Sequence, residues 1–141
     1  MIRWHNNVSQ CFTIGNGTRQ GGVLSPWLFA RYLRDLLSQV VTSRVGCNMG
    51  GMFVNILAYA DDIVLLAPSW RGLQYLLNIV VQESKAIDMS LNARKSVCMV
   101  FSPRDRSKVV MTTFPSLCAD SETLQFVLSF RYLGHVRDYK Q

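Results

Sequence analysis

The chain has 141 residues, 49% hydrophobic and 17% charged, which excludes an intrinsically disordered polypeptide and suits one folded domain, or part of one, with a real core. Lys and Arg number 15 against 9 Asp and Glu, a net charge of +6; this favours a polyanionic partner such as nucleic acid but does not establish one. Cys11, Cys47, Cys98 and Cys118 are scattered without a C-x-x-C pair, and His5 and His135 lie near opposite ends, a spacing that argues against a zinc site and for reduced thiols in an intracellular protein. The first seven residues lack the apolar core of a signal peptide. The most apolar stretch, residues 52–67, is split by Asp61-Asp62 and falls short of the ~18 residues a spanning helix needs, so a soluble chain without a membrane segment is expected.

In chain order, residues 9–15 form a strand candidate carrying Cys11, Phe12 and Ile14, and Gly15-Asn16-Gly17 supplies a turn because Gly and Asn tolerate positive φ. A polar, basic loop follows and ends in Ser25-Pro26, read as an N-cap and a first helical proline. The spacing of Phe29, Leu33, Leu36 and Val40 predicts a helix over 27–41 with one core-facing stripe. Residues 42–51 read as a loop punctuated by Gly46, Gly50 and Gly51. A hairpin is expected over 52–67. Pro68-Ser69 opens a second helix reaching about residue 89, with Trp70, Leu73, Leu77, Val80 and then Ile87 facing inward. A polar turn at 90–95 precedes a strand at 96–101, and 102–108 is a basic loop. Residues 111–128 suggest two short strands around Asp120-Ser121-Glu122, and the segment from Phe130 to Val136 a strand with a glycine turn or bulge. The order β, α, β-hairpin, α, β, β predicts an α+β fold: an antiparallel sheet with helices on one face.

The central hairpin carries the chemistry. Asp61 and Asp62 lie between apolar runs rich in Ile, Val and Leu, each long enough for a buried strand. Neighbouring residues on a regular strand point to opposite faces, but a turn can break that alternation and aim both carboxylates into one cleft. Such a pair suits a divalent cation. It equally suits a polar turn, since Asp is a favoured turn residue.

Four blocks, taken together, resemble the palm of reverse transcriptases, most closely those of non-LTR (LINE-type) retrotransposons. Residues 17–26, Gly-Thr-Arg-Gln-Gly-Gly-Val-Leu-Ser-Pro, resemble the Arg-Gln-Gly loop and the start of its helix. Tyr59-Ala60-Asp61-Asp62 resembles the Tyr-x-Asp-Asp catalytic hairpin. Residues 91–96, Leu-Asn-Ala-Arg-Lys-Ser, resemble the lysine-bearing block, and Tyr132-Leu133-Gly134, within 130–138, the primer-grip hairpin. The Gly-Val-Leu-Ser-Pro continuation leans toward retrotransposons rather than group II intron or retron enzymes. The resemblance implies an RNA-directed DNA polymerase, a nucleotidyltransferase that uses two Mg²⁺ ions, an RNA template, a DNA primer and a deoxynucleoside triphosphate, and works in the nucleus or cytoplasm. It casts Asp61 as a metal ligand and Asp62 as its neighbour supporting the second charge. Gln20 and Gly21 would lie near nucleotide and template, where a glycine lets backbone approach closely and an amide both donates and accepts. Arg19 would fork onto a phosphate, or form a surface ion pair. Tyr59 would pack under the primer end, or simply fill the hairpin. Lys95 would donate a proton to, or neutralise, the leaving pyrophosphate, or remain a surface lysine. Arg94, Arg104, Arg106 and Lys108 could track a nucleic-acid backbone or form an ordinary charged surface.

One departure from the family limits the expectation. Reverse transcriptases draw a third metal-binding Asp from a strand before the Arg-Gln-Gly loop, and residues 1–16 contain neither Asp nor Glu. The expected fold is therefore an incomplete, ferredoxin-like polymerase palm lacking fingers, first catalytic strand and thumb. Residues 1–141 are read as a partial domain, from a truncated or decayed element, inactive alone. A non-catalytic nucleic-acid-binding remnant and an unrelated α+β interaction domain stand as alternatives.

Overall fold

The computed structural model describes residues 1–13, 15, 17, 20–101 and 114–138. The chain is α+β, with two helices and short, mostly antiparallel strand pairs. Helix α1 spans Ser25–Thr42 and α2 spans Trp70–Ala86. Leu33, Leu36 and Val40 of α1 are buried against Leu76 and Val80 of α2, with Phe29 packed alongside, so the expected i, i+4, i+7, i+11 stripe is the core face. Tyr32 adds a side-chain tie between the helices by donating its hydroxyl to the Ile87 carbonyl at 2.6 Å.

The start of α1 differs from expectation. Ser25 lies inside the helix and the cap position falls on Leu24, whose backbone is already helical at φ −88°. Pro26 still sits in the first turn, where its fixed φ and missing N–H cost nothing. Ser69, by contrast, caps α2 in an extended conformation, and its Oγ accepts from the Gly72 N–H at 3.1 Å.

The strands pair locally. Hairpin β1 (Arg3–Trp4) with β2 (Asn7–Val8) opens the chain, whereas residues 9–13, where a strand was expected, form none. The presumed loop at 42–51 contains β3 (Cys47–Met49), paired with β4 (Met52–Val54) through Gly50 and Gly51, both at positive φ. The hairpin that carries the Asp pair is consequently shorter than 52–67: β5 (Ile56–Tyr59) and β6 (Asp62–Leu65). Of the strand expected over 96–101, only β7 (Val97–Cys98) is paired. Around the predicted Asp120-Ser121 turn, β8 (Cys118–Ala119) meets β9 (Glu122–Thr123). β10 (Gln125–Phe126) runs parallel to β7, and β11 (Ser129–Tyr132) closes on β12 (His135–Asp138). Among the described residues these make six two-stranded ladders rather than the single antiparallel sheet expected. Joining strands through tight turns costs little loop entropy, so local hairpins form without a long-range partner. Ladder β7–β10 is the exception. It is supported by a second cluster, Leu77, Cys98, Leu117, Ala119 and Leu124. Helix α2 thus serves two cores, Leu76 and Val80 facing one and Leu77 the other.

Candidate functional site

The β5–β6 register determines what the hairpin presents. Ile56 faces Leu65, Leu57 faces Val64, Ala58 faces Ile63 and Tyr59 faces Asp62. Cross-strand partners share a face and successive pairs alternate. Ile56, Ile63 and Leu65 pack on the α1–α2 core, so the faces separate cleanly. The other face, turned away from the helices, carries Leu57, Tyr59, Asp62 and Val64. Tyr59 is 64% exposed. Ala60 and Asp61 form the two-residue loop, with Ala60 at φ 51°, a left-handed conformation that L residues other than Gly, Asn and Asp seldom adopt.

Both carboxylates are solvent-exposed, and neither has a hydrogen-bond or ion-pair partner among the described residues. Asp61 stands at the tip and Asp62 one residue on, beside Tyr59. Among the described residues no group of three or more His, Cys, Asp or Glu side chains gathers for a metal ion, at the hairpin or elsewhere. Two carboxylates without a partner among the described residues could hold one divalent cation, which would complete its shell with water and phosphate. A two-metal centre draws on further ligands.

Immediately before the hairpin, Asn55 is 2% exposed. Its Nδ2 donates to the Val40 carbonyl at 2.6 Å, and its backbone carbonyl accepts from the Leu66 N–H at 2.8 Å. One residue therefore terminates α1 and closes the base of β5–β6. No motif pointed to it; the available signal was a lone amide inside an apolar run.

The remaining predicted site residues lie on separate segments. Lys95 is exposed, in a turn organised by Asn92, whose carbonyl and Oδ1 both accept from the Lys95 N–H at 3.1 and 3.2 Å. This block is tied to the hairpin through the core: Leu91 and Leu65 of β6 both pack against both clusters. Gln20 and Gly21 are exposed in the turn preceding α1, with Gly21 at φ 74°. Tyr132 is half-buried at the end of β11, and Leu133 and Gly134 form its turn at φ 48° and 81°. Among the described residues no hydrogen bond or ion pair joins Asp61 or Asp62 to Gln20, Lys95 or Tyr132. Arg19, Arg104, Arg106 and Lys108 lie outside the described residues.

The exposed Tyr-x-Asp-Asp turn thus lies on a hairpin backed by two helices, and the lysine-bearing block packs on the same core. Residues 1–136 match the family described as reverse transcriptase (RNA-dependent DNA polymerase), and the chain belongs to that family. It is similar to retrotransposon polyproteins, which agrees with the non-LTR resemblance read from its motifs. It is 30% identical over 139 residues to the Pol polyprotein of the type-2 retrotransposable element R2DM of Drosophila melanogaster, covering 92% of this chain and 13% of that protein. It is 35% identical over 126 residues to the Pol polyprotein of the type-1 retrotransposable element R2 of Popillia japonica, covering 86% and 18%. The R2 polyprotein of Nasonia vitripennis is 30% identical over 126 residues, at 88% and 12%. The chain thus corresponds to less than a fifth of the length of these relatives. Nucleic-acid template and primer binding is the business of the family as a whole.

Proposed function

We propose that this chain is palm sequence of a non-LTR retrotransposon reverse transcriptase, and that β5–β6 is the part of the polymerase centre that holds a divalent cation. The observation that carries the reading is the register of that hairpin: a two-residue turn sets Asp61 at the tip and Asp62 beside Tyr59 on the face away from the core. In template-directed nucleotidyl transfer a primer hydroxyl attacks a triphosphate in line, and negative charge grows on the attacking and leaving oxygens. Mg²⁺ supplies the neutralisation of those oxygens when it is bound. Asp61 and Asp62 would hold it, their oxygens having no competing partner among the described residues. Tyr59 would support the primer end from the same face. Gln20 and Gly21 would approach nucleotide and RNA template, and Lys95 would face the leaving pyrophosphate. Tyr132, Leu133 and Gly134 would guide the DNA primer, and Arg19 a phosphate.

This polypeptide by itself is read as inactive. Among the described residues no third carboxylate gathers with the two at the hairpin, and a two-metal centre draws on further ligands. Titration of the purified chain with Mn²⁺, followed by electron paramagnetic resonance, should detect weak binding that Asp61→Asn reduces by about tenfold or more. Metal binding that Asp61→Asn leaves intact would remove the role of the hairpin. Mg²⁺-dependent extension of a primed RNA template by the wild-type chain would overturn the inactivity.

The net charge of +6 favours a second reading, retained nucleic-acid binding without catalysis. It predicts RNA affinity that falls steeply with salt and is unchanged in Asp61→Asn.

A further inference from the structure

Asn55 belongs to two elements at once. Its backbone carbonyl accepts from the Leu66 N–H at 2.8 Å, one step below the Ile56–Leu65 pair that begins the β5–β6 ladder. Its side chain leaves the hairpin: Nδ2 donates to the Val40 carbonyl at 2.6 Å and lies 3.4 Å from the Ser43 Oγ. Val40 is in the last turn of α1, where carbonyls lack a helical partner, and the Ser43 hydroxyl and N–H meet the same oxygen at 2.7 and 3.3 Å. The whole amide is buried, and a hydrogen bond shielded from water is electrostatically stronger. Gly46 encloses it, since a Cβ there would fall 2.6 Å from the Asn55 Cβ. This contact also decides where the hairpin points. Among the described residues β5 and β6 pair only with each other, and a lone two-stranded hairpin has no sheet neighbour to fix its bearing. Ile56, Ile63 and Leu65 hold it to the helices by apolar packing, which is non-directional. No hydrogen bond or ion pair joins residues 56–65 to either helix among the described residues.

We infer that Asn55 is a positioning residue of the proposed polymerase centre: through the Val40 carbonyl it fixes the bearing of β5–β6 on α1. It thereby holds Asp61 and Asp62 in a set relation to the loop at the other end of that helix, where Gln20 and Gly21 stand. The inference rests on the reading of β5–β6 as the cation-holding hairpin. Its magnitude follows from strand geometry. Four strand residues at about 3.3 Å each put the turn roughly 13 Å beyond Asn55, so a tilt of about 10° at the base carries the tip by about 2 Å. Misplacement by about 1 Å is enough to cost a positioned reaction a large factor in rate. Asn55 touches neither carboxylate, and the turn itself sets how the two lie relative to each other. Losing the amide should therefore loosen the hairpin against α1 while leaving the cation ligands together.

The test measures distance and metal binding separately, on the full chain. Nitroxides are placed on α1 and at the hairpin tip, by Arg31→Cys and Tyr59→Cys, with Cys11, Cys47 and Cys118 changed to Ser and the buried Cys98 kept. Pulsed electron paramagnetic resonance should give a narrow distance distribution, which Asn55→Ala widens by about twofold or more. Ser43→Ala removes a different donor from the same carbonyl and should leave the distribution narrow. In the unlabelled chain, Mn²⁺ affinity of Asn55→Ala should stay within about twofold of wild type, a combination that global destabilisation does not produce. If Asn55→Ala loses its helical circular dichroism, Gly46→Ala decides, because a Cβ there displaces Asn55 without deleting its amide; it should widen the distribution in the same way. An unchanged distribution in the folded variant overturns the positioning role, as does equal widening by Ser43→Ala. Mn²⁺ binding that ignores Asp61→Asn overturns the reading beneath it, whatever the distances show.

Discussion

Ala60 holds a left-handed backbone, at φ 51°, in a loop with room for only two residues between paired strands. A Cβ at that φ costs roughly 1–2 kcal/mol, and tight hairpin loops ordinarily place Gly or Asn there. The neighbouring turns make the comparison within one molecule: Gly50-Gly51 supplies glycine at both loop positions, whereas Leu133 takes the same left-handed backbone as Ala60, at φ 48°. The strained residue immediately precedes the two candidate ligands, Asp61 and Asp62. Ala60→Gly should raise the urea midpoint modestly, by up to about 1 kcal/mol, because relief of the Cβ clash outweighs the extra chain entropy of glycine. Ala60→Val should lower it by about 1 kcal/mol or more, since a branched Cβ is the least tolerant of positive φ. Equal midpoints for all three would show that the turn relaxes freely. At the same scale, Cys98 is buried, and burial pushes its thiol pKa up. Less of it is thiolate at any given pH, and the thiolate is the reactive form. Cys11 and Cys118 are exposed. A thiol reagent followed by mass spectrometry at pH 8 should therefore modify Cys11 and Cys118 first and Cys98 last, with Cys98 catching up on unfolding.

Between elements, the position of the hairpin depends on a few specific contacts. Asn55 joins the end of α1 to the base of β5–β6, and its amide is fully removed from water. Asn55→Ala would remove one of the donors to the Val40 carbonyl, leaving those of Ser43, and open a small void, costing about 1–3 kcal/mol. Chemical denaturation should show that loss, and Asn55→Asp should be worse, since a carboxylate cannot donate to the carbonyl. Gly46 lies against the same knot: a Cβ there would fall 2.6 Å from the Asn55 Cβ and 2.8 Å from the Val54 carbonyl oxygen, so Gly46→Ala should destabilise the same junction. On the far side of α2, Gln74 donates to the Cys118 carbonyl at 2.8 Å and accepts from the Cys118 N–H at 2.9 Å. One amide side chain thus behaves like a neighbouring strand and occupies backbone groups that β8 would otherwise leave to solvent.

For the whole molecule, two small cores share helix α2, and the two blocks that meet through them are the Asp hairpin and the lysine turn. Leu91 of the lysine-bearing block and Leu65 of the hairpin pack on the same two clusters, with no bond between the charged groups of the two segments. The loop before α1 and the β11–β12 hairpin are joined to it by chain connectivity alone among the polar contacts described. Apolar surface also remains uncovered at Val23, Leu24, Trp27 and Leu57, more than isolated exposed residues would need explaining. Part of it lies on the open side of α1, and part on the free face of β5–β6.

Much of this was legible in the residues alone. Helical periodicity placed both helices within two or three residues at each end, because burying one stripe every 3.6 residues leaves few alternatives. Two short strands were legible around Asp120-Ser121-Glu122, and a strand with a glycine turn or bulge over 130–136, where the structure has hairpins; short motifs identified the family, since they encode local chemistry. Pairing was not legible. Residues 52–54 have the composition to extend β5, yet they turn back on 47–49 because two glycines and a buried Asn intervene. Strand 97–98 finds a partner nearly thirty residues away, which no local pattern announces. The sequence determined the helices, the turn residues and the identity of the two carboxylates. Only the tertiary structure decided which face of the hairpin meets the core, that Ala60 takes the strained position, and which side of α1 stays open, because each depends on contacts between segments distant in the chain.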